Sequence, residues 1–186
     1  MRSLLMTGFL LAAVGIVAAQ PPGRWLFGAT GRGTARWTED GAGLTYRGGA
    51  AFGWAVLPET SLRDGFVQAR FKPIAGREDQ AGGVVWRWRD ADNYYVARAN
   101  ALEDNVRLYH VVKGTRLQFA GWNGKVSSGV WHSLRVDAKG DHFEVYWDEK
   151  KVIDAHDSTF SEPGKVGVWT KADSVTLFDD LTISPN

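Results

Sequence analysis

The sequence predicts an all-β protein built as a two-sheet antiparallel jelly-roll sandwich, and three observations lead there. Runs of five to nine residues alternate apolar and polar side chains with no sustained helical period, the pattern of half-buried strands. Short clusters of Gly, Asp, Asn and Lys-Gly separate the runs, so most consecutive strands are expected to be antiparallel neighbours. The 186 residues include 9 Trp, 9 Phe, 5 Tyr and 22 Gly but only 6 Pro, a composition that favours strands and supplies bulk for a core. A chain of this size buries roughly two thirds of its unfolded surface, which argues for one ordered domain.

In chain order, Arg2, the apolar run 4–19 and the small residues Val17, Ala18 and Ala19 mark residues 1–19 as a signal peptide cleaved before Gln20. The run falls short of the ~20 residues that cross a bilayer, so no stable membrane insertion is expected after cleavage. Residues 20–186 then form a single domain with no linker, repeat or low-complexity tract. Gly28, Gly31 and Gly33 read as loop turns, because no strand–helix unit accompanies them to make a phosphate loop. Clear strands are expected at 66–72, 83–89, 94–100, 106–113, 130–138, 143–147, 165–170 and 175–183, with weaker ones at 35–39, 44–47, 52–57, 116–121 and 151–155. The connections at 90–93, 113–114, 139–141 and 148–150 have hairpin length.

Alternation then exposes a candidate binding face. In 84–89 the even residues Val84, Trp86 and Trp88 read as core, leaving Val85, Arg87 and Arg89 outside. In 94–100 the apolar set Tyr95, Ala97 and Ala99 pushes Tyr94, Arg98 and Asn100 to the other side. Val106, Leu108 and Val112 likewise turn Arg107 and Tyr109 outward, and Val166 and Val168 do so for Trp169 and Lys171. If these strands are neighbours, Arg, Asn and aromatic side chains share one face. That mixture suits a sugar, whose C–H faces stack on rings and whose hydroxyls meet planar, fixed donors. The same face serves equally as a solvated surface on which Arg stems cover aromatics, since a bulge can shift parity. Trp122, in a Gly-Trp-Asn-Gly turn, is either an exposed stacking platform or a plug over one end of the sandwich.

The last strand is inconsistent with its own period, because Val175, Leu177, Leu181 and Ile183 share a side with Asp179 while Asp180 lies opposite. Either a bulge near Phe178 resets the parity, or a carboxylate points inward and needs a cation or hydrogen-bond donors. In the second case the expected ion is a structural calcium held by Asp180 and Asp40 with carbonyls of the 39–41 turn. No other cofactor is required.

Catalytic patterns are not found. Retaining glycosidases need two carboxylates ~5 Å apart, most simply from one strand face. Asp90 and Asp92 lie in a turn, and Glu144 with Asp148 leads into one. His110, His132, His142 and His156 lack metal-binding spacing, and Ser127, Ser128 and Ser133 lack a nucleophile-elbow context. The absence of cysteine removes disulfides, thiolate metal clusters and thiol nucleophiles, and 21 basic against 21 acidic residues after loss of Arg2 argues against nucleic acid.

The segment from Gly82 through Val84, Trp86 and Trp88, then Asp92-Asn93-Tyr94-Tyr95-Val96-Ala97-Arg98 and Asn105-Val106-Arg107-Leu108-Tyr109, resembles bacterial exported domains of the concanavalin A-like lectin/glucanase superfamily. Trp131-His132-Ser133-Leu134, Phe143-Glu144-Val145-Tyr146-Trp147, Gly164-Lys165-Val166-Gly167-Val168-Trp169 and Phe178-Asp179-Asp180-Leu181 resemble its laminin-G-like and 3-keto-disaccharide hydrolase-like branch. The resemblance covers about residues 24–184. It implies a jelly roll with a concave sheet facing carbohydrate and, in some members, a structural calcium opposite; the glucanase branch's paired carboxylates have no match here.

The expected function is therefore noncatalytic recognition of an oligosaccharide or polysaccharide in the periplasm or outside the cell. Arg87, Arg89, Tyr94, Arg98, Asn100, Arg107, Tyr109, Trp122, Trp169 and Lys171 are its candidate ligands. The alternative is a hydrolase acting on 3-keto-disaccharides or related glycosides, with Asp173, Lys171 or His110 in acid–base roles. In a third reading the same face contacts an exported protein partner.

Overall fold

The computed structural model describes residues 25–41 and 43–185. The expected signal peptide at 1–19 lies outside them. Among the described residues every regular element is a strand: β1 (Leu26–Gly33), β2 (Trp37–Asp40), β3 (Gly43–Arg47), β4 (Ala50–Leu62), β5 (Gly65–Ala75), β6 (Ala81–Asp90), β7 (Asn93–Asn100), β8 (Asn105–Val112), β9 (Thr115–Asn123), β10 (His132–Lys139), β11 (His142–Trp147), β12 (Lys150–His156), β13 (Gly164–Ala172) and β14 (Val175–Pro185). The front sheet runs β1-β4-β13-β6-β7-β8-β9 and the back sheet β12-β11-β10-β5-β14-β3-β2. Every pairing is antiparallel, which gives the expected two-sheet jelly roll. No described helix is long and apolar enough to cross a membrane.

Thirteen of these fourteen strands coincide with expected runs; β1 does not. Glycine at 28, 31 and 33 leaves little side-chain alternation to read. Gly28 is required by packing, because a Cβ there would lie 2.2 Å from the ring of Trp54. In β14 the register shifts between Asp179 and Thr182 and Asp180 takes a φ of 49°, so the bulge explains the broken period.

The core between the sheets follows directly from alternation. Val84, Trp86, Tyr95, Leu108, Val166 and Val168 from the front sheet meet Phe71, Leu134, Phe143, Val145 and Phe178 from the back. Trp86 stacks on Tyr95 at 5.2 Å and meets Phe143 edge-on at 5.3 Å. Each such side chain contributes about 1.5–3 kcal/mol by leaving water.

A second buried cluster, Trp54, Val56, Val85, Trp88, Tyr94, Val96, Tyr109, Val111 and Trp169, lies on the outer face of the front sheet, where a flat sheet would be solvated. Curvature accounts for it. Three strands separate β1 from β7, a span of about 19 Å in a flat sheet. Yet Thr30 Oγ1 lies 2.9 Å from the Tyr94 hydroxyl, and Thr30 also donates to the carbonyl of Ala91. Arg116 of β9 likewise reaches the ring of Phe52 on β4, 4.6 Å away. The front sheet therefore curls into a trough whose floor is aromatic.

Candidate functional site

The polar end of the trough is built on β7 and β8. Their register sets Arg98 opposite Arg107 and Val96 opposite Tyr109, so period two carries Tyr94, Arg98, Asn100, Asn105, Arg107 and Tyr109 to the trough side. Arg98 donates to Asn105 Oδ1 at 2.7 Å, to Glu103 Oε2 at 2.8 Å and to the Tyr109 hydroxyl at 3.1 Å. Asn100 is fully buried; its Oδ1 accepts from the backbone N–H groups of Gln80 and Leu102. Its amide nitrogen is thereby turned toward two carboxylates, donating to Asp79 at 2.6 Å and to Glu103 at 3.0 Å. Lys171 of β13 closes the network with an ion pair to Asp79 at 2.8 Å.

Asp79 is placed by a carboxylate outside the trough. Asp173, in the turn between β13 and β14, accepts the N–H groups of Arg77, Glu78 and Asp79 and pins the loop before β6. Burial works to raise the pKa of Glu103, but hydrogen bonds from Asn105 and Arg98 and the Arg98 charge outweigh it, so the carboxyl is held below its usual range. Glu103 and Lys171 are the more accessible members, with side chains 41% and 18% exposed, whereas Arg98 and Asp79 are 4% and 6% exposed.

Arg116 lies beside this network over three rings, at 4.3 Å from Tyr109, 4.6 Å from Phe52 and 5.5 Å from Trp169. Burial, and behind it the Arg98 charge, lower its pKa against the pull of Tyr109. Its Nη1 is a buried donor without an acceptor, as are Arg98 Nε and the indole N–H groups of Trp54 and Trp88 on the same face. An unpaired buried donor costs about 1–3 kcal/mol, more when charged, and four of them gather along this one face. Arg98, Arg116 and Lys171 against Asp79 and Glu103 leave one net positive charge, to which Arg107 at the rim adds another.

Of the residues expected at the site, Tyr94, Arg98, Asn100, Arg107, Tyr109, Trp169 and Lys171 lie on this face, and Tyr94 and Trp169 form its buried floor. Tyr94 is held by Thr30 and by Trp169 Nε1, which donates to its hydroxyl at 3.3 Å. Arg107 sits at the rim and is committed to β9, donating to the Trp122 carbonyl and to Asn123 Oδ1, both at 2.6 Å.

Three expectations are corrected. Arg87 takes a φ of 47° in a bulge of β6, which reverses the parity beyond Trp86: Trp88 joins the trough against Trp54, and Arg87 leaves it. Buried at 1% exposure, Arg87 donates to the carbonyls of Arg63, Gly140 and Phe160. Arg89, past the same bulge, lies over the Phe160 ring instead of in the network. Trp122, expected in a turn as either an exposed platform or a plug, belongs instead to the strand β9, opposite Val106, and packs on the core.

Asp180 turns to solvent and accepts from Arg70 at 3.0 Å, while Asp40 lines an open groove with Asp179, Thr45 and Trp131. His110 packs outside the trough, 3.0 Å from Asp157, which also accepts from the Tyr95 hydroxyl at 2.6 Å. Asp79, Glu103 and Arg116 were not found by spacing. The first two occupy a loop and a turn, and Arg116 sits on a strand of weak alternation. The available signal was position: Glu103 lies in the tight turn joining Asn100 to Asn105, both on the trough side.

No protein-family model matches the chain. A levanase of Bacillus subtilis (strain 168) is 35% identical over 105 residues, which is 55% of this chain and 15% of the levanase, so the chain spans only a small part of that relative. Among solved structures, the carbohydrate binding module CBM66 from Bacillus subtilis superposes with a TM-score of 0.75 and 25% identity, covering 87% of this chain and 96% of the module. A native glycosidic hydrolase aligns at a TM-score of 0.66 with 14% identity over 91% of this chain and 94% of that one. Galectin LEC-6 of Caenorhabditis elegans aligns at 0.53 with 11% identity over 69% and 89%. The last two speak to the fold alone. The chain has the concanavalin A-like jelly-roll fold that its sequence resemblance implied.

Proposed function

We propose that the front-sheet trough binds a glycan and that the protein is an exported carbohydrate-binding module. The observation that carries this reading is Arg116 set on three rings beside a network of carboxylates, amides and cations in which Glu103 and Lys171 stay accessible. A sugar supplies what such a face lacks: hydroxyl oxygens for the guanidinium, hydroxyl protons for Glu103 and Asp79, and C–H surface for Phe52 and Tyr109. The likeness to CBM66 and to a levanase supports the reading and makes levan the first polysaccharide to test.

A second reading has one specific observation behind it. Asp79 and Glu103 share one amide nitrogen, so they lie no farther apart than two hydrogen bonds laid end to end, within reach of the ~5 Å separation of retaining glycosidases. A glycosidase also needs one carboxyl kept protonated by a raised pKa. Against its burial, Glu103 is shifted the other way by the hydrogen bonds of Asn105 and Arg98. Binding is therefore favoured over hydrolysis.

Calorimetric titration with levan, inulin, xylan and cellulose oligosaccharides, followed by product analysis, separates the two. A levan-type ligand recovered intact is expected, with Arg116→Ala and Lys171→Ala each weakening binding about tenfold or more, as loss of a charge-assisted hydrogen bond of ~1.5–3 kcal/mol requires. Binding indifferent to both substitutions would exclude the trough; a cleaved ligand would establish the hydrolase.

A further inference from the structure

The four histidines are scattered in sequence, but folding sets two of them side by side. His142 on β11 and His156 on the edge strand β12 are register partners, their rings stacked at 4.6 Å and 20°. Their inward neighbour Phe143 belongs to the core, so His142 projects from the outer face of the back sheet, across the sandwich from the trough. Asp154 lies two residues before His156 and therefore on the same face. Its Oδ1 is 2.7 Å from His142 Nε2. One ligand atom each from His142, Asp154 and His156 lies within 4.8 Å of the others.

We propose that His142, Asp154 and His156 form a binding site for a divalent transition metal, with Zn2+ the favoured occupant. Two imidazoles and a carboxylate are a borderline donor set that suits zinc and leaves a coordination position open to water. Ligand atoms about 2.0–2.2 Å from zinc lie roughly 3.3 Å apart in a tetrahedron. Side-chain rotation alone supplies that contraction, because all three residues are at least partly exposed.

Two neighbours prepare the geometry. Asp141 Oδ1 lies 3.2 Å from His156 Nδ1, which places the proton there and leaves Nε2 as the donor to the ion. Lys151 donates to Asp154 Oδ2 at 2.8 Å and to Glu144 Oε1 at 2.7 Å, holding the carboxylate so that Oδ1 faces His142. A bound ion would tie the edge strand β12 to β11 through side chains as well as through the ladder.

The test is titration of zinc chloride into the full chain, without a polyhistidine tag, followed by calorimetry. One saturable equivalent is expected. His142→Gln and His156→Gln should each weaken it at least tenfold, and Asp141→Asn, which removes only the orienting partner, by about 10–100-fold. Both histidines are on the surface, so the variants should retain the wild-type circular dichroism and show that any loss is local. Absence of saturable binding in the wild type, or a loss smaller than tenfold in both histidine variants, would overturn the proposal.

Discussion

At Asn100 two backbone N–H groups occupy the side-chain oxygen, so the amide nitrogen has nowhere to point except between Asp79 and Glu103. Replacing that donor with an acceptor sets three carboxylates together and removes both hydrogen bonds. Asn100→Asp should therefore lower stability by about 2–4 kcal/mol at pH 7 in urea denaturation, with the deficit shrinking at pH 4 as a carboxylate takes a proton. An unchanged midpoint would mean that the network contributes nothing. Arg98, Asn100, Tyr109 and Lys171 were legible on this face because each sits in a strand whose apolar partners fix its parity. Asp79 and Glu103 were not, because loops and turns carry no period, and Arg116 was hidden on a strand of mixed residues.

Bulges and glycines decide where reading by alternation fails. In β6 the left-handed Arg87 resets the period, so one residue moves Trp88 into the trough and puts Arg87 against three carbonyls. Arg87→Met keeps the stem but strands those carbonyls and should destabilise the fold by about 2–4 kcal/mol in urea denaturation. Glycan affinity should be unchanged in the same variant, since Arg87 lies outside the trough; weakened affinity in a folded variant would restore it to the site. β14 makes the complementary case, where a clash between period and composition at Asp179 and Asp180 was visible in sequence and resolved as a bulge. β1 gave no such warning, because its glycines carry nothing to alternate.

On the scale of the molecule, the curl of the front sheet turns an outward face into a lined trough, and curl leaves no trace in a period of two. The acid limit of the fold is likewise a sum over distant groups. Burial works to raise Glu103, Asp157 and Asp173, but hydrogen bonds outweigh it: from Asn105 and Arg98, from Thr159 and Tyr95, and from the backbone of residues 77–79 respectively. Folded values below unfolded ones mean stability that is fully present above the unfolded pKa of about 4 and lost as pH falls through the folded values. The melting temperature should thus drop steeply below about pH 4, and less steeply in Asp173→Asn; a melting temperature that rises there would reverse the assigned shifts. The claim that the trough is the glycan site is most directly tested by titrating a levan oligosaccharide into nitrogen-15-labelled protein and following arginine and indole N–H resonances. Shifts confined to Arg98, Arg116, Trp54, Trp88 and Trp169 are predicted; shifts confined to the back sheet, or none at saturating sugar, would contradict it.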